Sequence, residues 1–401
     1  MKNREVFLGE VADTCLGKML DQNKNKGKYQ PYLANVNVRW GDFDLENLPQ
    51  MRFEEDEEER YGLQFGDILV CEGGEPGRCA IWKNQLPNMK FQKALHRVRV
   101  HNDVVDYRWL YYRLLYAKSR NEFDQYFSGT TTIKHMPREK LIKIRFLLPD
   151  INSQKRIADI LSAYDDLIEN NRRQIKLLEE AARRLYREWF VDFRFPGHEQ
   201  MLIVDGVPEG WTVKTIEEVA SLLRRGISPV YNERGMYTVI SQKCIRSSIM
   251  DISEARKQEK VYVPELNLQD SDTVICSTGA GTLGRVGQVF GDYPNTTFDS
   301  HVTVVRADNA IGKQYLYLSI KEKEDYLKGM GKGSTNQLEL YRDVVKSIRI
   351  LVPSIPVLKP FENNIQTLHD KIVAVSSEIT RTLYIRNQLL MKLMKGEDEN
   401  A

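Results

Sequence analysis

The chain repeats itself at long range, and this constrains its fold more than any single motif. Leu8-Gly9-Glu10-Val11-Ala12 returns as Ile216-Glu217-Glu218-Val219-Ala220. The run Phe65–Cys71 returns as Gln269–Cys276, Gly77-Arg78 as Gly284-Arg285, and Gly129-Thr130-Thr131 as Gly333-Ser334-Thr335. Phe91 with Arg97-Val98-Arg99 parallels Phe298 with Val304-Val305-Arg306, and Ile144–Pro149 parallels Ile348–Pro353. The offsets are all between 204 and 208. A period this long is no solenoid. It marks two homologous halves, each a complete domain and the segment that follows it.

That segment also repeats. After Pro149, Ile157, Leu161, Tyr164, Ile168, Asn171, Ile175, Leu178, Ala182, Leu185 and Trp189 alternate in steps of four and three. Adding 204 places Phe361, Ile365, Leu368, Ile372, Val375, Ile379, Thr382, Arg386, Leu389 and Leu393 in the same frame. Heptads sustained this far predict long coiled-coil helices. Two copies in one chain most simply bury their seams against each other, antiparallel. Asn171 either fixes register as a polar seam residue or marks a helix break.

The expected organisation is a domain over 1–150, a central helix over 151–192, a Pro-Gly linker over 193–207, a second domain over 208–353, a helix over 354–396 and a disordered tail over 397–401. Short β-like runs within each domain include Asp67–Cys71, Leu95–Val100, Thr273–Cys276 and Ile348–Val352. Helical stretches lie at Tyr107–Tyr116 and Gln314–Tyr326. The fold class is α+β, with two homologous domains and two long helices.

Composition excludes several functions. Hydrophobic residues make up 41% and no long uncharged apolar run exists, so no membrane span is expected. Five scattered cysteines argue for a reducing, cytoplasmic setting, and no secretory signal is expected. Fifty-eight Lys and Arg face 56 Asp and Glu, so any basic surface is local. Gly279-Ala280-Gly281-Thr282-Leu283-Gly284 matches a dinucleotide fingerprint, but the following Arg285–Phe290 reads as a strand, not as a helix that would receive a pyrophosphate. No nucleophile elbow, zinc-protease motif or P-loop is present, and the six histidines show no metal-ligand spacing. No catalytic residue, metal or cofactor is expected in this chain.

The two halves share scaffold residues and differ in polar loops, as two reading heads of different specificity would. Candidate DNA contacts in the first domain are Arg39, Trp40, Gly74, Gly77, Arg78, Lys90, Lys93, Arg97, Thr130, Thr131, Thr132, Lys134 and His135. In the second they are Lys243, Arg246, Thr278, Gly279, Gly281, Arg285, Asn295, Thr296, Lys332, Ser334, Thr335, Asn336 and Gln337. Arg, Lys, Asn and Gln can read base edges, hydroxyls and amides can hold phosphates, and glycines allow close backbone approach. The acidic run Glu54–Glu59 must face away from phosphate or contact a basic protein.

The sequence resembles the specificity subunit of type I restriction–modification systems over essentially its whole length. The likeness is carried by Val207-Pro208-Glu209-Gly210-Trp211, the Leu148-Pro149 and Val352-Pro353 strand–helix junctions, and Leu185-Tyr186-Arg187-Glu188-Trp189-Phe190-Val191-Asp192-Phe193-Arg194-Phe195-Pro196-Gly197. The first domain lacks the Gly-Trp opening. The resemblance implies two target recognition domains, each reading half of a split DNA site, and two antiparallel helices that set the spacer. It implies docking of two methyltransferase subunits and up to two restriction–translocase subunits. S-adenosylmethionine, ATP and Mg would be bound by those partners, which would flip and methylate an adenine. The competing reading is a duplicated coiled-coil DNA-binding scaffold or regulator with no methyltransferase partner.

Overall fold

The computed structural model describes residues 4–21, 25–46, 48–130, 133–245, 250–279, 281–291, 293–333 and 338–399. The chain forms two compact units: residues 1–169 with 380–401, and residues 170–379. The duplication is visible strand by strand. In the first unit Arg4–Phe7 pairs antiparallel with Arg145–Leu148. A four-stranded sheet runs in the order Ala12–Leu16, Leu95–Val100, Ile68–Cys71, Cys79–Ile81. A three-stranded sheet runs in the order Gln50–Phe53, Lys28–Leu33, Lys90–Phe91. The second unit repeats all three: Thr212–Thr215 on Arg349–Val352, then Ala220–Arg225, Val302–Ala307, Thr273–Cys276, Val286–Gln288, then Arg256–Gln258, Tyr237–Ile240, Thr296–Phe298.

Duplicated side chains hold the duplicated sheets. Short helices Leu8–Val11 and Ile216–Val219 follow the strands Arg4–Phe7 and Thr212–Thr215. Phe7 N–H donates to Glu10 at 2.8 Å and Thr215 N–H to Glu218 at 2.7 Å, each acid closing its own first turn. Arg99 clamps Asp67 through two 2.7 Å bonds, and Arg306 clamps Asp272 through two 2.8 Å bonds. Both aspartates are 1% exposed.

The two domains dock their helices differently. Tyr107–Ser119 carries its own cap, Asp106, whose carboxylate accepts from Arg108 N–H and Trp109 N–H. Its second-unit counterpart, Lys313–Lys321, begins after Gly312, which has no side chain to cap with. Glu362 supplies the missing carboxylate, accepting from Tyr315 N–H at 2.7 Å and Gln314 N–H at 3.3 Å. The expected Gln314–Tyr326 helix is two pieces, Lys313–Lys321 and Glu324–Gly329.

The long helices are Ile151–Phe190 and Ile355–Glu399. The second therefore runs through 397–399, where a disordered tail was expected. Pro149 cannot extend the strand pairing, and Asp150 starts the central helix by accepting from Asn152 N–H and Ser153 N–H. The helix passes Asn171 unbroken, which removes the helix-break reading. In the first unit Asp165 meets Arg386 at 3.3 Å, and Ile157 and Leu161 share a core with Leu390 and Met394. In the second unit Ile175 clusters with Ile372 and Val375, and Trp189 packs on Phe361 at 5.7 Å. Within each unit the numbers rise on one helix as they fall on the other, so the pairing is antiparallel.

The seam follows the heptad reading with one correction. Ile168, Asn171, Ile365 and Thr382 are buried, and Tyr164, Leu178, Leu368 and Ile379 are partly buried. At both helix C-terminal ends the buried face has moved on by one residue. Tyr186 and Phe190 join Trp189 while Leu185 is half-buried, and Leu390 and Met394 are buried more deeply than Leu389 and Leu393. A straight helix of 3.6 residues per turn drifts by ~20° per heptad, and the seam residues change accordingly.

Candidate nucleic-acid interface

In each domain one strand of the three-stranded sheet leads into a single 3-10 turn, Asn35–Asn37 and Gln242–Cys244. Strand registers make these turns equivalent: Leu33 pairs with Phe91 as Ile240 pairs with Phe298, and both pairs lie 207 positions apart. A glycine-rich turn, Gly73–Arg78 in one domain and Thr278–Arg285 in the other, packs beside each. Cys71 and Cys276 lie beneath. The Cys71 thiol points to Asn35 O at 3.8 Å and the Cys276 thiol to Gln242 O at 4.0 Å. Burial pushes these thiols up to about 11 and about 12, the nearby Arg78 and Arg285 opposing it, so both stay protonated near neutral pH.

Arg78 and Arg285 are the pins between the turns. Arg78 donates to Asn35 O at 2.8 Å and meets Glu75 at 3.2 Å. Arg285 donates to Ile245 O at 3.1 Å and Gly281 O at 3.1 Å. Both guanidinium groups are thus spent on the loops they were expected to project from, and they act as positioning residues. Gly77 and Gly284 have φ of +86° and +75°. A Cβ would lie 2.8 Å from the Phe123 ring at the first and 2.5 Å from Lys328 N at the second, so only glycine closes these turns. Gly74, Gly279 and Gly281 also take positive φ.

A third element completes the surface in each domain. In the first it is the hairpin Ser128–Thr130 with Ile133–His135. His135 lies over Gly73, where an added Cβ would be 3.1 Å from its Nδ1. Met136 N–H donates to Glu72 O at 2.8 Å. In the second domain Lys332 and Thr278 both bridge Glu339, and Leu340 N–H donates to Ser277 O at 2.8 Å. Glu339 is ion-paired with Arg225, and Thr278 Oγ1 lies 2.6 Å from His301 Nδ1.

The first domain adds an acid-centred cluster. Glu75, at the tip of the glycine turn, accepts from Trp40 Nε1 at 2.7 Å and pairs with Arg78 and with Lys118 at 3.7 Å. Lys118 also sits 4.3 Å from the centre of the Trp40 ring. Arg39 pairs with Asp44 at 3.5 Å with its side chain 40% exposed. Lys134 and His135 are exposed, Lys134 over the Phe127 ring. Lys93, Lys243 and Lys332 are exposed as well.

Three expected contacts are corrected by burial. Lys90 is fully buried and pairs with Glu58 at 2.6 Å. Arg97 is 8% exposed and donates to the carbonyls of Arg60 at 3.0 Å and Gly62 at 3.2 Å. Thr296 is a buried strand residue whose hydroxyl donates to Pro294 O at 3.2 Å. Asn295 is exposed, in a turn where its φ of +53° matches +54° at the equivalent Asn88. The acidic run makes ion pairs with lysines of its own domain, Glu57 on buried Lys18, Glu58 on Lys90 and Glu55 on Lys28. Thr131, Thr132, Arg246, Ser334, Thr335, Asn336 and Gln337 lie outside the described residues. Thr130 ends a hairpin strand.

Sequence reasoning missed Asn35 and Glu75, which hold the two turns together. Asn35 donates to Gly73 O at 3.4 Å. The 207-residue offset would have found the turn, since it aligns Asn35-Val36-Asn37 with Gln242-Lys243-Cys244.

Residues 2–180 and 208–380 match the family model described as the type I restriction modification DNA specificity domain. The MjaIX type I restriction enzyme specificity subunit of Methanocaldococcus jannaschii is 27% identical over 347 residues, 83% of this chain and 77% of that protein. The HindI specificity subunit of Haemophilus influenzae is 23% identical over 416 residues, 84% of this chain and 87% of that protein. In fold, the chain is similar to the crystal structure of a type I restriction–modification S subunit from M. genitalium, with a TM-score of 0.50, 19% identity, and 98% and 96% of the two chains covered.

Proposed function

The chain belongs to the type I restriction-modification DNA specificity family, and on that premise we propose that it is the sequence-reading subunit of a restriction–modification complex. Each domain reads one half of a bipartite DNA site. One observation carries this reading. The same three-part surface of 3-10 turn, glycine turn and a third element beside them recurs in both domains on a shared scaffold, with different side chains upon it: Val36, Trp40, Lys134 and His135 in one, Lys243, Thr278 and Lys332 in the other. Shared backbone with divergent tips is what two heads for two half-sites require.

The chemistry lies in partners on this reading. The complex takes up two methyltransferase subunits, which bind S-adenosylmethionine, and up to two restriction–translocase subunits, which use ATP and Mg. The chain binds duplex DNA and sets each methyltransferase over an adenine. A DNA-binding scaffold without a methyltransferase is not favoured, since the matched relatives are specificity subunits along most of their length. The test is the methylome of a host carrying this chain with its neighbouring methyltransferase gene, against the same host lacking the chain. A split N6-methyladenine motif that disappears on deletion is expected. Exchange of residues 1–150 for those of another family member should change one half of that motif only. An unchanged methylome would overturn the proposal.

A further inference from the structure

The two equivalent 3-10 turns place Val36 and Lys243 at the same point, 207 positions apart, between the pinned glycine turn and the loop that follows. Val36 is 63% exposed although both residues after it are buried, Asn37 at 6% and Val38 at 0%. Its turn is rigidly held. Asn37 Oδ1 accepts from Ala34 N–H at 3.0 Å, and Asn37 Nδ2 donates to Asp44 O at 3.1 Å. Asp44 N–H donates to Asn37 O at 2.8 Å, and Arg78 grips Asn35 O from the other side. A β-branched side chain, with few rotamers of its own, is therefore presented on a fixed pedestal among polar neighbours. Solubility alone would favour a polar residue there.

Resting on the sequence-reading function proposed above, we propose that this position determines specificity in both domains, Val36 reading the C5-methyl of a thymine in the first half-site. Apolar side chains contact that methyl in the major groove, the one apolar feature any base pair displays there. Lys243 gives the second domain a cation at the same point, suited to guanine O6 and N7. Asn35 and the Arg78 pin are positioning residues on this account: they hold the turn and touch no base.

The test uses the full chain in complex with its methyltransferase subunits and duplexes carrying the motif found in the methylome. Each thymine of the first half-site, on either strand, is replaced singly by deoxyuridine, which removes only the methyl. One replacement should weaken binding about fourfold, the worth of about one buried methyl group. Val36→Ser should bind the thymine and uridine duplexes equally, and its thermal unfolding should match the parent's because the side chain is exposed. Val36→Lys should alter one base pair of the first half-site in the methylome and leave the second half-site intact. A half-site without thymine, insensitivity to every replacement, or a Val36→Ser complex that still discriminates uridine would overturn the assignment while leaving the sequence-reading function standing. A parent complex with no sequence preference would overturn that function, and the assignment with it.

Discussion

Asp67 and Asp272 are each buried to 1% exposure beneath an arginine that is less buried than its partner. Removing one partner of such a pair strands the other, at a cost of about 3 kcal/mol. Asp67→Asn should therefore speed amide exchange in the first unit's four-stranded sheet on the order of 100-fold while the second unit is unchanged, and Asp272→Asn should do the converse. Hydrogen exchange read by mass spectrometry checks both. Glu179 behaves in the opposite sense. Its Oε1 has no partner among the described residues, and it lines a cavity of about 40 Å³ with Gln288, Gln314 and His369. Burial pushes its carboxyl up to about 7, against the pull of Lys321, Arg183 and Lys176. An unfolded glutamate titrates near 4.3. Between roughly pH 4.3 and 7 the folded chain thus holds a proton the unfolded chain has released, and stability falls as pH rises through that window. Glu179→Gln should be neutral at pH 4 and stabilising by about 1–2 kcal/mol at pH 8, since only the charged form is penalised. Urea unfolding at the two pH values checks it. Beside this cavity Asp270 titrates the other way. Burial would raise it, but hydrogen bonds from His369, Gly291 N–H and Ser271 hold it at about 2, so its contribution is lost only as pH falls below about 4.

At the level of elements, Asn171 is the one polar residue of the central helix's expected seam, and its amide nitrogen is buried without a partner among the described residues. An unsatisfied buried donor costs about 1–3 kcal/mol. Asn171→Leu should raise the urea midpoint of the intact chain by an amount worth about 1 kcal/mol, with an unchanged slope. A loss of stability would instead show that the amide is satisfied by a bound water. This residue was legible because the heptad frame names it from spacing alone. So were the strands, since Ile68–Cys71 and Thr273–Cys276 are apolar runs buried on both faces. The reading failed where side-chain chemistry is ambiguous. Lys90 and Arg97 carry the charge a DNA contact needs, but a long cation can equally turn inward, and their partners, Glu58 and the carbonyls of Arg60 and Gly62, lie more than 30 positions earlier in the chain. Val36, proposed above to read a base, is illegible for the converse reason: a lone valine carries no charge signal, and only its exposed setting on the turn singles it out.

At the level of the molecule, the two compact units divide at Glu169/Asn170 and Ile379/Thr380, and both divisions fall inside long helices. Each unit thus owns one recognition domain, one part of the central helix and one part of the C-terminal helix. If the spacer of the bipartite site is set by these helices, it should respond to their length and to little else. Insertion of one heptad after Glu169 together with one after Ile379 keeps both seams in phase to within ~20°. It lengthens each helix by about 10 Å at 1.5 Å per residue. With about 10 base pairs to a DNA turn of ~34 Å, that is about three base pairs. The variant should methylate the same two half-sites with the spacer lengthened by about three, since no recognition loop has changed. A heptad in one helix alone puts the facing seams out of step, and should cost stability and methylation together. Methylome sequencing reads the spacer and thermal unfolding the stability. An unchanged spacer in a stable double-insertion variant would show that the helices hold the two domains without measuring the distance between their half-sites.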